Sequence, residues 1–179
     1  IKKHIVVEQR ILDQIAWAET VDINTEEINS TEIGVITSGI TYQYAKEALG
    51  KNASYLKLGC VYPLPVEKIK SFAAKCKKVY VLEELDPFIE EHCKQNGIEV
   101  IGKDAFTLQG EYSQSLIKQV ILGETDESVK TDLEIPARPP VLCAGCPHRG
   151  LYYALKKLNL TFSGDIGFYT LCAIAPLAM

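Results

Sequence analysis

Residues 32–58 read EIGVITSGITYQYAKEALGKNASYLKL, and the alternation inside this stretch decides the fold class. EIGVITSG is a short apolar run that closes on Ser38 and Gly39, the pattern of a buried strand. ITYQYAKEALG has helical character, with Gly50 as its stop signal. SYLKLGCVY then returns to a strand. A strand, a helix and a strand, with both strands apolar on both faces, describe a parallel sheet covered on each side by helices.

The same alternation continues in both directions. Tyr62-Pro63-Leu64-Pro65 is punctuation, and Pro65 suits the first turn of a helix over VEKIKSFAAKC, residues 66–76. KKVYVLEEL is a third strand. DPFIEEHCKQNG is a helix with Asp86 as N-cap, Pro87 at the first position and Gly97 at the stop. IEVIG is a fourth strand and SQSLIKQVILG a closing helix, so residues 32–123 form an α/β domain. Upstream, residues 1–20 are expected to be helical, with Trp17 packed among apolar neighbours. Residues 21–31, VDINTEEINST, read as a polar linker.

Downstream, the charged, proline-ended stretch 124–140 (ETDESVKTDLEIPARPP) reads as a second linker. Residues 141–179 read as the opening βα units of a second α/β domain, with a helix over LYYALKKLNL and a strand over TFSGDIG. The chain begins at Ile1 and stops inside the apolar run GFYTLCAIAPLAM, so we expect a fragment of a longer subunit.

Composition excludes several functions. The net charge is −4 with lysine and arginine scattered, which is no footprint for nucleic acid. No apolar run reaches the ~18 residues of a membrane span. The first residues lack the apolar centre of a signal peptide, so a cytoplasmic location is expected. In that compartment the six cysteines need not be disulfides.

The strongest chemical signal is Cys143-Ala144-Gly145-Cys146-Pro147-His148-Arg149-Gly150. Two thiols two residues apart can face one metal, because the turn between them brings both sulfurs to one side. Gly145 permits a positive φ, and Pro147 can open a helix whose amino end favours thiolate or a bound anion. His148 adds a titratable group and Arg149 a fork for phosphate or carboxylate. Two buried thiols beside a helix cap are the plain structural alternative. A zinc site, a thiol–disulfide exchanger and a cofactor-lining or iron–sulfur site remain open from the spacing alone.

A second signal is Ser163-Gly164-Asp165-Ile166-Gly167. Its glycines let backbone approach a ligand, and Asp165 could cap a helix or help hold a metal. The pairs Glu83/Glu84 and Glu90/Glu91 point in different directions and read as solvated or capping. His92 reads as a surface residue. Gly39 fits either an interface or ligand lining, or packing at a helix start.

Several stretches carry a resemblance: EIGVITSGITYQYAKEAL, LKLGCVYPLPVEKI, VYVLEELDPFIEEH, RPPVLCAGCPHRGLYYAL and FSGDIGFYTL. Together they resemble the α subunits of the indolepyruvate ferredoxin oxidoreductases, within the 2-oxoacid:ferredoxin oxidoreductases. The resemblance implies a transketolase C-terminal-like domain over 32–123 and the start of a thiamine-diphosphate-binding domain over 141–179. It implies oxidative decarboxylation of aryl-pyruvates with CoA to aryl-acetyl-CoA, carbon dioxide and reduced ferredoxin. Thiamine diphosphate, Mg2+ and [4Fe-4S] clusters are the cofactors, and a β subunit and ferredoxin the partners. Cys143, Gly145, Cys146, His148, Arg149, Gly164, Asp165 and Gly167 would line the cofactor site, with Cys143 and Cys146 as cluster ligands. Where relatives carry a third cysteine this chain has Phe168, and Cys172 follows four residues on. A non-catalytic assembly module of a thiamine enzyme and a C-x-x-C thiol oxidoreductase are the alternatives.

Overall fold

The computed structural model describes residues 2–127, 132–134, 136–137, 140–164 and 167–172. The chain divides into two units, Ile1–Ser128 and Val129–Met179.

The first unit is built on a four-stranded sheet in the order β1-β3-β2-β4. β2 (Ile33–Ser38), β3 (Ser54–Leu58) and β4 (Lys78–Leu82) are parallel, with Val35 opposite Tyr55 and Tyr80. Their side chains alternate between two cores, as the two-residue period of a strand requires. Ile36, Leu56, Leu58, Val79 and Val81 face one core. Val35, Tyr55, Tyr80 and Leu82 face the other. Helices α3 (Val66–Ala73) and α4 (Phe88–Gln95) close the first face through Ile69, Phe72, Ile89 and Cys93. Helices α2 (Thr41–Leu49) and α5 (Gln114–Leu122) close the second through Ala45, Leu49 and Ile117. Each large apolar side chain buried in this way stabilises the fold by about 1.5–3 kcal/mol. The fold is therefore α/β on a sheet dominated by parallel strands.

α5 follows its sequence signals closely. Ser113 Oγ accepts from Leu116 N at 3.2 Å, and Gly123 takes the left-handed conformation at the stop.

Four expectations are corrected. First, the polar segment 21–31 is not a free linker. Thr25–Glu27 forms β1, antiparallel to β3 with Glu26 opposite Leu56. Its carboxylates meet lysines: Glu27 bonds Lys46 at 2.6 Å and Glu26 bonds Lys75 at 2.5 Å. The hydrogen bond from Lys46 is the main cause that lowers the Glu27 carboxyl pKa. Second, IEVIG pairs with β4 only at Ile101, through Val81 N to Ile101 O and Ile101 N to Val79 O, both 2.9 Å. The chain turns away after Gly102, where Ala105 N and Phe106 N both bond back to the Gly102 carbonyl.

Third, Trp17 is 48% exposed and not packed. It lies on α1 (Lys2–Thr20), whose only buried residue is Ala18. This helix is anchored at its carboxyl end. Glu19 accepts from Glu67 N at 3.0 Å and Lys68 N at 2.8 Å, capping α3 from across the chain. Asn24, 2% exposed, donates to the Ala18 carbonyl and accepts from Gly59 N and Cys60 N, each at 2.9 Å. Fourth, His92 is half-buried, with Nε2 shut from solvent and no hydrogen-bond partner.

No helix among the described residues is long and apolar enough to cross a membrane.

Candidate functional site

The second unit carries the C-x-x-C segment. Cys146 N donates to Cys143 O at 3.2 Å, and Gly145 stands at φ 76. A positive φ at the third residue of a four-residue turn is the reason a glycine sits between the thiols. Arg149 N donates to Cys146 O at 3.1 Å, which joins the turn directly to helix α6 (His148–Lys157). Pro147 is the N-cap residue and supplies no side-chain cap. In place of a side-chain cap, the Cys146 carbonyl meets Arg149 N, and the helix dipole adds partial positive charge at this end. The helix begins three residues earlier than LYYALKKLNL suggested, because proline fixes φ for a helical entry right after the turn.

A small core holds this arrangement. Leu142, Tyr152 and Cys172 are buried together, with Cys146, Leu155, Phe162 and Leu171 packed against them. The Tyr152 ring stacks on Phe162 at 5.8 Å and lies 6.4 Å from the His148 ring. The Arg149 guanidinium folds back and donates from Nη2 to the Leu142 carbonyl, which spans the turn and fixes its orientation. Cys143 is exposed and Cys146 half-buried, and neither is in a disulfide.

The structure thus brings together five of the sequence-predicted residues: Cys143, Gly145, Cys146, His148 and Arg149 share one turn and the first turn of one helix. Gly164 does not join them. It lines a cavity of about 170 Å³ with Leu151, Tyr152, Leu155, Phe162 and Ser163. The expected strand over TFSGDIG is absent among the described residues, where 161–164 take no regular structure. Gly167 accepts from Thr170 N at 3.2 Å at the start of a 3-10 turn over Phe168–Cys172. Asp165 and the side chain of Phe168 lie outside the described residues.

A metal needs more ligands than these. No three His, Cys, Asp or Glu side chains gather at one point among the described residues. Cys172, the nearest further cysteine in sequence, is fully buried in the small apolar core. The two thiols of the turn alone do not make up an iron–sulfur ligand set.

Sequence reasoning missed a second polar constellation, in the first unit. Glu83, at the end of β4, is 8% exposed and caps α4: its two carboxylate oxygens accept from Ile89 N at 2.8 Å and Glu90 N at 2.9 Å. Asp86, the expected N-cap, does not perform this role. Its place beside Pro87 matched the usual signature, but the carboxylate six residues before Ile89 reaches the amides. Glu90, 3% exposed, in turn accepts from Lys103 N at 2.8 Å and from Lys94 Nζ at 2.6 Å. Lys103 Nζ donates to the Glu83 carbonyl and, at 2.8 Å, to Tyr112 Oη. An acidic pair closing a strand ahead of a proline-led helix was the available signal.

No family model matches the chain. Subunit IorA of indolepyruvate oxidoreductase from Archaeoglobus fulgidus is 35% identical over an alignment that covers 87% of this chain and 29% of that subunit. The subunit IorA of Methanothermobacter thermautotrophicus is 36% identical over 80% of this chain and 27% of its own length. That of Pyrococcus horikoshii is 33% identical over 89% and 30%. A solved 2-oxoglutarate:ferredoxin oxidoreductase from Magnetococcus marinus, with 2-oxoglutarate, coenzyme A and succinyl-CoA bound, superposes with a TM-score of 0.56 at 20% identity. That superposition covers 68% of this chain and 23% of that one, and it shows a shared fold. The chain spans 27–30% of the length of these three IorA relatives. Over the stretch that it spans, this chain is a homologue of the indolepyruvate oxidoreductase IorA subunits.

Proposed function

We propose that this chain serves in the α subunit of a thiamine-diphosphate-dependent indolepyruvate ferredoxin oxidoreductase. The whole enzyme would convert aryl-pyruvates and CoA to aryl-acetyl-CoA and carbon dioxide, passing electrons to ferredoxin with a β subunit as partner. The observation that carries this reading is the homology to IorA subunits over 80–89% of the chain. The local geometry supports it: a glycine-shaped turn delivers two thiols to the amino end of α6. Such an end suits the anionic part of a cofactor.

In this reading Cys143, Gly145, Cys146, His148 and Arg149 line the cofactor site, with Gly164, Asp165 and Gly167 as a neighbouring turn. Thiamine diphosphate, when bound with Mg2+, supplies carbanion stabilisation at the keto carbon. The chain's own contribution is positional. Gly145 keeps the turn tight, Pro147 starts the helix at once, and Arg149 ties helix to turn through the Leu142 carbonyl. The described residues do not fit a [4Fe-4S] cluster at Cys143 and Cys146, so no electron-transfer step is assigned to them.

The test uses the full-length α subunit co-expressed with its β subunit. We expect indolepyruvate- and CoA-dependent reduction of ferredoxin, and thiamine diphosphate binding that weakens in Gly145→Val and Arg149→Gln. Failure of the purified complex to bind thiamine diphosphate would overturn the reading.

A further inference from the structure

The chain order of the sheet reverses at β2. β3 lies on one side of it and β4 on the other, and the helices that follow β2 and β4 go to opposite faces. The loops leaving β2 and β4 therefore part and open a crevice at the carboxyl ends of the strands. Open α/β sheets bind ligands at this place. The crevice here has a volume of about 320 Å³, within the range of small-molecule sites.

Its lining combines two chemistries. Ile40 and Val61 come from the loops after β2 and β3, Phe88 from the first position of α4, and they are 54%, 40% and 50% exposed. They offer exposed apolar walls. Glu83, Glu84 and Asp86 supply the polar part. Glu83 is committed to the α4 amides, and the Lys103 ammonium sits beside its carbonyl. Glu84 uses one oxygen to accept from Tyr112 N at 2.8 Å, which leaves the other available. Among the described residues the Asp86 carboxylate accepts no hydrogen bond, and it interacts with Lys103 only through its charge. The amino end of α2, also on this rim, contributes only about half a positive charge. The three carboxylates of Glu83, Glu84 and Asp86 outweigh this and the single Lys103 ammonium within their electrostatic reach, so the crevice is a negative field between apolar walls.

We propose that this crevice binds a small organic cation: an ammonium group held by Glu84 and Asp86, carried on an apolar body that packs against Ile40, Val61 and Phe88. The Phe88 ring adds a face for the cation. The same field disfavours carboxylates and phosphates in this crevice. The proposal stands independently of the activity proposed above.

Phenethylammonium chloride is the probe, titrated at low ionic strength into the chain labelled at isoleucine and valine methyl groups. We expect saturable shifts of Ile40 and Val61 in the millimolar range or tighter. Asp86→Asn and Glu84→Gln, each confirmed folded by circular dichroism, should each weaken binding about tenfold, as loss of one charge-assisted contact implies. The anion 3-phenylpropionate should leave these methyls unmoved. A peptide carrying one lysine between two leucines, binding more tightly than phenethylammonium, would reassign the site to a protein partner and overturn the small-molecule assignment. Absence of saturable shifts, equal binding of the anion, or no loss in both variants would overturn the proposal itself.

Discussion

The Glu90 carboxylate occupies the space that a side chain at position 102 would need: a Cβ on Gly102 would stand 2.2 Å from Glu90 Oε2 and 2.4 Å from its Cδ. Gly102→Ala must therefore push Glu90 off Lys103 N and leave a buried carboxylate short of a donor. We expect a loss of about 2–4 kcal/mol in urea unfolding of the chain. Adding Glu90→Ala should recover part of that loss. Strict additivity of the two changes in a double-mutant cycle would show that the contact carries no energy.

Asn24 ties the end of α1 to the loop after β3 through three hydrogen bonds. Asn24→Ala leaves a buried carbonyl and two part-buried amides short of their partner, and should cost about 1–3 kcal/mol. Asn24→Asp keeps the acceptor for Gly59 N and Cys60 N and loses only the donor to Ala18. It should be the milder change, and thermal unfolding of both variants checks the order.

Burial holds the Glu83 carboxyl above its ordinary range, while hydrogen bonds from Ile89 N and Glu90 N pull it the other way. A carboxyl raised in the folded state stabilises the fold fully below its unfolded pKa and loses that contribution as pH rises through the folded value. Glu83→Gln removes the titration and offers one acceptor in place of two, at a cost of about 1–3 kcal/mol. Its penalty should thus shrink as pH rises from about 4 towards 7. Urea melts of both proteins across that interval measure it, and a pH-independent difference would refute the shift.

Thiol labelling should separate the cysteines by environment. Cys93 is fully buried, and burial pushes its thiol pKa up to about 12. Burial also raises Cys76, whose Sγ would lie 2.8 Å from a Cβ at Gly34. Cys143 is exposed. Iodoacetamide at mildly alkaline pH, followed by peptide mapping, should modify Cys143 first and Cys93 last. Early labelling of Cys93 would mean that its core opens readily.

The sheet was legible because its signals are local and repeated. Val35-Ile36, Tyr55-Leu56 and Tyr80-Val81 are apolar at adjacent positions, as strands buried on both faces must be. β1 was not legible: Thr25-Glu26-Glu27 has no apolar period, and its place comes from β3 backbone pairing and from Lys46 and Lys75, distant in sequence. The candidate site divides in the same way. The Cys143–Arg149 turn and helix follow from Gly145 and Pro147, which act within a few residues. The Glu83–Glu90–Lys103 network was legible only in part: capping was one of the two readings of the acidic pair, and it is the role Glu83 plays, but the choice of Glu83 over Asp86 depends on where β4 ends in space. Trp17 was misjudged for a related reason: helical spacing predicts a face, but it does not say that anything meets that face.

Among the described residues, the hydrogen bonds that anchor α1 to the rest of its unit lie near its carboxyl end, from Glu19 on the α3 amides and Asn24 under Ala18. At about 1.5 Å per residue its 19 residues make an arm of roughly 28 Å. Mechanically this is a cantilever. A tilt of about 5° at the clamp swings the far end by roughly 2 Å. Trp17, two residues before Glu19, sits where an optical signal would register a pivot at the clamp.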